Sequence, residues 1–339
     1  MNKPLIRRLS CPAVSMKLAG LFILIFVLAL ADTLGLIDFA AISHTLAAHP
    51  QIVIECFILT ALSFACVALR LAALLKLINV PISYSDCFKV TMLSLFSGTL
   101  LIGPLGTEAT RFGMLIKKCE HRYAELTAVL LLDRVFGLSG LVCIVFFMSL
   151  VADQVSARIP YHHYMIAAFL LFFAALVLLF MAHKYLPTRK KQAAKELIRQ
   201  HAPSLYKILS QLGRIFRTSK HIMSNPMTLF KLVSFSVMAS FLPLIGLSEV
   251  INVFLPNAFD FPSSLMILSI TILINSIGIT PGGIGVGEAV FALFCFAVTR
   301  DASLPYVETF LSVRLISIIC VLPGGLVLLQ APQLEKTSS

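Results

Sequence analysis

Two acidic turns set in apolar sequence hold the residues of this chain best placed to do chemistry. Residues 103–109 read GPLGTEA and residues 281–289 read PGGIGVGEA. Their glutamates, Glu108 and Glu288, are each followed 26 residues later by an arginine deep in the next apolar segment, Arg134 and Arg314. Ionised side chains are costly in hydrocarbon and face a bundle interior or aqueous cavity where they occur. There the pairs Glu108/Arg134 and Glu288/Arg314 could act as gates or carry protons, and Arg111, Arg134 and Arg314 could grip a phosphate through bidentate hydrogen bonds. Capping is the competing role, because a carboxylate in the first turn of a helix accepts from its unsatisfied N–H groups. Asp133 points about 100° away from Arg134 on a helix and should pair elsewhere. Asn275, with Ser276, precedes the second turn and either caps it or lines the path.

Other chemistries find little support. The PGGIGVG run lacks the G-K-[ST] of a phosphate-cradling loop and has no strand–helix context, so no nucleotide site is expected. The eight cysteines lie mostly in apolar segments without a C-x-x-C pair, which fits packing thiols rather than disulfides or zinc. His162-His163 is a pair in a short loop with no further ligands. No metal and no cofactor are expected.

The elements that position these residues follow from composition. Hydrophobic residues make up 58% and charged residues 13% of the chain. Soluble domains carry about 25% charged residues, so the class is an all-α polytopic membrane protein, expected as one membrane domain over 1–339. Between Lys184 and Lys220 ten Lys/Arg face one acid, Glu196. In such a protein this marks a cytoplasmic segment, here 184–228, rather than a nucleic-acid site. Its interspersed Leu and Ile also allow an interfacial amphipathic helix. Segment 18–37 is about 20 residues long, enough to span, and is read as an uncleaved first crossing.

Charge bookkeeping then sets a topology. Full crossings are expected at 18–37, 51–69, 124–151, 163–183, 229–255 and 303–330, with Arg70 and Lys76 snorkelling at an interface. Segments 87–118 and 262–299 are expected to enter and leave on one side as re-entrant helical hairpins. The first breaks at Gly103, Pro104 and Gly106, and the second at Pro281, Gly282, Gly283, Gly285 and Gly287, where proline stops a helix and glycine permits a reversal. This arrangement of six transmembrane helices and two hairpins puts both termini and the basic segment in the cytoplasm. A shift of 180 residues superposes Gly98 on Gly278, Gly103 on Gly283, Glu108 on Glu288 and Arg134 on Arg314. Repeat 1 (about 51–151) and repeat 2 (about 229–331) therefore form an inverted-topology repeat, the plan of alternating-access transporters.

At GPLGTEATR (103–111), LLLDR (130–134), TPGGIGVGEA (280–289) and VRL (313–315) the chain resembles the lysylphosphatidylglycerol synthase transmembrane (flippase-like) family. It departs where the family's G-E-x-x-R reads Thr107-Glu108-x-x-Arg111 and its E-R pair reads Asp133-Arg134. The resemblance implies movement of an anionic phospholipid, an aminoacylated lipid or a polyprenyl-phosphate-linked lipid between leaflets of a cell membrane, here a bacterial inner membrane. Some relatives carry a fused soluble aminoacyl-transferase domain. No segment here is long enough for one, so catalysis is not expected. An integral-membrane lipid-modifying transferase, a non-transporting partner of a lipid or glycosyl transferase, and a small-anion transporter are the alternative classes.

Overall fold

The computed structural model describes residues 39–80, 82–99, 104–119, 122–158, 226–276, 283 and 285–326. Among these residues every regular element is a helix. Helix α1 (Phe39–Ala48) leads into α2 (Pro50–Lys76), α3 (Tyr84–Ser97), α4 (Pro104–Lys118), α5 (Tyr123–Ser149) and the short α6 (Asp153–Arg158). Past residue 225 follow α7 (Pro226–Phe254), α8 (Phe261–Asn275), α9 (Val286–Thr299) and α10 (Tyr306–Val321). The crossings expected at 18–37 and 163–183, most of the basic segment, the histidine pair, Gly103, Pro281, Gly282 and the C-terminus lie outside the described residues. The other four expected crossings fall on helices long and apolar enough to span: Pro50–Lys76, Tyr123–Ser149, Met227–Phe254 and Tyr306–Leu326.

Local chemistry sets the helix ends. Pro50 occupies the first turn of α2, where its missing N–H is no loss. Ser83 caps α3 by accepting from the Asp86 N–H at 3.1 Å, and Asp260 caps α8 by accepting from the Ser263 N–H at 3.1 Å. The arms α3, α4, α8 and α9 have only 14 or 15 residues each. At 1.5 Å per residue each rises about 21–23 Å, short of the ~30 Å hydrocarbon core.

Helix α7 contains Pro243 and packs most extensively against α2. Proline has no N–H, so the carbonyl four residues earlier, on Ala239, loses its helical partner. Ser63 on α2 supplies the replacement: its hydroxyl donates to the Ala239 carbonyl at 2.6 Å, in a buried position. The largest interface among the described helices therefore carries a hydrogen bond that α7 cannot make by itself.

The neighbours of each helix follow one pattern twice. Among α2–α5, α2 touches α3 and α5, α3 touches α4, and α4 touches α5; α7–α10 repeat the same four contacts in the same order. Between the sets, α8 packs on α5 as α10 packs on α3, and α7 packs on α5 as α10 packs on α2. The short pairs open at opposite ends of α5. Lys118, at the end of α4, donates to the Asp86 carboxylate at the start of α3 at 2.6 Å, beside the N-terminus of α5. The start of α8 meets α6, just beyond the C-terminus of α5, where the Asp260 N–H donates to Gln154 Oε1 at 2.9 Å. Helix α9 packs on α6 as well. The 27 residues of α5 separate these two ends by about 40 Å.

Two apolar cores flank the centre. One joins Leu71, Leu74, Val90, Leu115 and Leu126 of α2–α5; the other joins Ile144, Ile251, Leu268, Phe291 and Ile316 of α5 and α7–α10.

Replacing Ser63 with Ala should destabilise the protein by about 1 kcal/mol, because it strands a buried carbonyl. In a Pro243→Ala background the restored N–H should remove most of that cost. A double-mutant cycle on unfolding in detergent tests this, and an equal loss in both backgrounds would contradict it.

Candidate functional site

Helix α5 passes between the two cores, and its Asp133-Arg134 pair sits at their junction. Asp133 is 1% exposed, and each of its carboxylate oxygens faces a guanidinium. Arg70 on α2 donates through Nε to Oδ1 at 2.7 Å, and Arg111 on α4 donates through Nη1 to Oδ2 at 2.7 Å. Arg70 also donates to Ser236 Oγ on α7 at 3.2 Å, and Arg111 donates through Nε to Ser94 Oγ on α3 at 3.1 Å. Both serine hydroxyls in turn donate hydrogen bonds to backbone carbonyls, Ser236 to Leu232 and Ser94 to Thr91. Gly137, one turn beyond Asp133, lies beside the Arg70 guanidinium; a Cβ there would lie 3.4 Å from Nη2, an ordinary contact distance. Five helices thus meet in one polar cross-tie.

This changes two expectations. Arg70 is no interface residue: it is 5% exposed and lies six residues inside the end of α2. Lys76, at that end, is exposed as expected. Arg111 is buried with two of its nitrogens already engaged, so it ties helices together instead of lying open to a headgroup. Asp133 does pair away from Arg134.

Arg134 turns toward the other half of the protein. Its Nη2 donates to the carbonyl of Ser276, the C-cap of α8, at 2.9 Å. Asn275, the preceding residue, lies against Gly283, where a Cβ would fall 1.8 Å from Asn275 Oδ1. Gly283 also has a φ of 71°, a conformation that side chains rarely adopt. Its carbonyl accepts from Arg314 Nη2 at 3.0 Å. Arg314 Nε lies 3.1 Å from Glu288 Oε1, and its Nη2 also donates to Glu288 Oε2 at 3.4 Å. Arg314 also lies over the Phe310 ring at 5.7 Å. A line of polar groups therefore runs from Arg134 through Ser276, Asn275 and Gly283 to Arg314 and Glu288.

The two glutamates occupy different roles in their helices. Glu288 is the third residue of α9, and its Oε2 accepts from the Gly285 N–H at 2.7 Å, so it caps the helix and holds Arg314 together. Gly285 has a φ of 84°. Glu108 does not cap, because α4 already begins at Pro104 and places it in the second turn, after Gly106. Among the described residues Glu108 makes no ion pair with Arg134, and its buried Oε2 has no hydrogen-bond partner. Asn275 Oδ1 is buried without a partner as well. Such oxygens are costly at this depth unless a polar group meets them. Glu108 nevertheless sits within the electrostatic reach of Arg111, Asp133, Arg134 and Arg70.

Arg70, Ser94 and Ser236 are the members of the site that sequence reasoning passed over. The signal for Arg70 was available, since apolar sequence resumes after it as LAALL before Lys76. The two serines carry no comparable mark. Among the described residues no cluster of three or more His, Cys, Asp or Glu could hold a metal ion.

The four arginines and three acids of this centre have a formal net charge of +1. Two of its guanidiniums, those of Arg134 and Arg314, rest on the backbone carbonyls of Ser276 and Gly283. No curated protein matches the chain. One family model does, described as the lysylphosphatidylglycerol synthase TM region, and it covers residues 17–324. With its long apolar helices, the chain is a multi-pass membrane protein that belongs to the lysylphosphatidylglycerol synthase transmembrane family.

Proposed function

We propose that the protein moves an anionic lipid, a phospholipid or a polyprenyl-phosphate-linked lipid, between membrane leaflets, with the headgroup travelling along the line from Arg134 to Arg314. The observation that carries this reading is the partner each arginine has chosen. Arg134 and Arg314 come from different halves of the chain, yet both rest on backbone carbonyls flanking the same break, those of Ser276 and Gly283. A carbonyl is a neutral partner, and a phosphate oxygen forms a stronger, charge-assisted bond to the same guanidinium, with Arg314 keeping its contact to the Glu288 carboxylate. A headgroup can therefore displace the carbonyls. The acyl or prenyl tails would stay in the bilayer beside the bundle. The reading makes the chain a transporter rather than an enzyme, with Glu288 and Glu108 tuning how tightly the arginines are held.

The architecture we infer is six crossings with two re-entrant hairpins, α3–α4 and α8–α9, in an inverted repeat. Three observations support it: the doubled neighbour pattern, arms too short to span, and open ends at opposite ends of α5. The first hairpin then opens to the cytoplasm and the second outward.

Two experiments test these readings. In vesicles containing fluorescent lipids, the wild-type protein should move an anionic or prenyl-phosphate lipid faster than empty vesicles do. Arg314→Ala and Arg134→Ala should each lower the rate about tenfold or more, equivalent to losing one charge-assisted contact of ~1.4 kcal/mol or more. Native rates in both variants, or uptake of a soluble anion without lipid movement, would overturn the proposal. In a cysteine-free background, Lys118→Cys should react with an impermeant thiol reagent from the cytoplasmic side and Arg300→Cys from the opposite side. Labelling of both from one side would rule out the inverted hairpins.

A further inference from the structure

The two halves share their helix neighbours but differ chemically at one place. At the shift of 180, Arg70 falls on Val250, Arg111 on Phe291, Asp133 on Val313 and Ser94 on Ile274, while Ser236 falls back on Cys56. Val250, Phe291, Val313 and Cys56 are buried in a single apolar core, and Ile274 packs against it. The polar cross-tie of α2–α5 therefore has a wholly apolar counterpart in α7–α10. Phe291, standing where Arg111 stands, stacks on Phe310 at 5.2 Å.

That comparison says what the charges are not needed for. The second half closes the same set of helix contacts with hydrocarbon, and well-packed apolar residues can replace buried ionic triads without loss of stability. The kinds of closure differ in what they allow. An interdigitated apolar core cannot part without opening a void. An ionic cross-tie can part if each charge finds another partner.

Glu108 is that partner. It lies three residues before Arg111 on α4, a spacing that sets side chains side by side on one helix face. Among the described residues its Oε2 is buried with neither a hydrogen bond nor an ion contact, whereas Glu288 has its Oε2 bonded to Gly285 and Arg314 and its Oε1 in ion contact with Arg314. If Arg111 leaves Asp133 for Glu108, Asp133 keeps Arg70, and both carboxylates then face a guanidinium. Helix α4 would then lose its ionic tie to α5, leaving the apolar contacts around Leu115 and Leu126.

We infer that α4 is the moving gate and α9 the fixed wall, with Arg111 as the positioning residue that exchanges Asp133 for Glu108 as the gate opens. This rests on the proposal that a headgroup crosses between the breaks, and it names the side that opens.

Hydrogen–deuterium exchange of the protein in lipid nanodiscs, read on peptides covering 108–118 and 288–298, tests the inference without a transport assay. Amides of α4 should exchange about tenfold faster than those of α9. Glu108→Gln removes the alternative anion, so it should slow exchange in α4 about tenfold and leave α9 unchanged. The combined variant Arg70→Val, Arg111→Phe, Asp133→Val should bring α4 to the protection of α9 and block lipid movement. Equal exchange of α4 and α9 in the wild type overturns the inference. So does α4 exchange that is unchanged or faster in Glu108→Gln, which decides the matter even if the triple variant does not fold. Wild-type vesicles that move no lipid would defeat the proposed function alone, leaving the exchange contrast to judge the gate.

Discussion

A carboxylate sealed inside an apolar bundle needs cations, and Asp133 draws one from each of two neighbouring helices. Both of its oxygens are taken, by Arg70 and Arg111, and each arginine reaches onward to a serine on another helix. Leaving any one charge of such a group unpaired typically costs about 3–5 kcal/mol. The positions of α2, α3, α4, α5 and α7 around this point are therefore mutually dependent. The turn at 104–108 inherits its placement from α4, and Arg134 inherits its direction from Asp133, because neighbouring residues on a helix point about 100° apart. With Asp133 facing α2 and α4, Arg134 is left facing α8.

The same constraint gives the molecule its asymmetry. Duplicated helices would ordinarily be expected to do duplicated work, and the neighbour pattern is indeed doubled. Yet one copy of the central contact is ionic and the other apolar. A transporter built from two halves has use for such a difference, since one half must hold still for the other to move against it. Glu288 belongs to the still half: it caps α9, braces Arg314 and has little freedom to do anything else. Glu108 sits one helical turn further from its break and has that freedom.

Much of this was legible in the sequence, and the gaps have physical reasons. The four long helices and the short arms followed from apolar run length. Of the expected break residues, Pro104 opens α4 and Gly285 precedes α9, whereas Gly106 and Gly287 lie inside those helices, where a single glycine does not stop the run. The pairing of Glu288 with Arg314 also followed, because capping fixes the glutamate and the next helix returns alongside. Glu108 and Arg134 share that spacing without pairing, since an extra turn at Pro104-Leu105-Gly106 moves the glutamate off the helix start. Arg70 was misplaced because a charge reads as the end of an apolar run, while α2 continues to Lys76. The meeting of Arg70, Arg111 and Asp133 joins three helices. Periodicity says which face a residue occupies, never which helix that face will meet.

The central claim is that a headgroup travels between Arg134 and Arg314. Photo-crosslinking with a phospholipid carrying a diazirine on its headgroup, followed by peptide mapping, addresses it most directly. The account predicts adducts on the peptides holding Asn275-Ser276 and Phe310–Arg314, suppressed by excess unlabelled anionic lipid. Adducts confined to outward-facing positions such as Ile54, Phe230 and Leu293 would contradict it, because the headgroup would then never enter the centre.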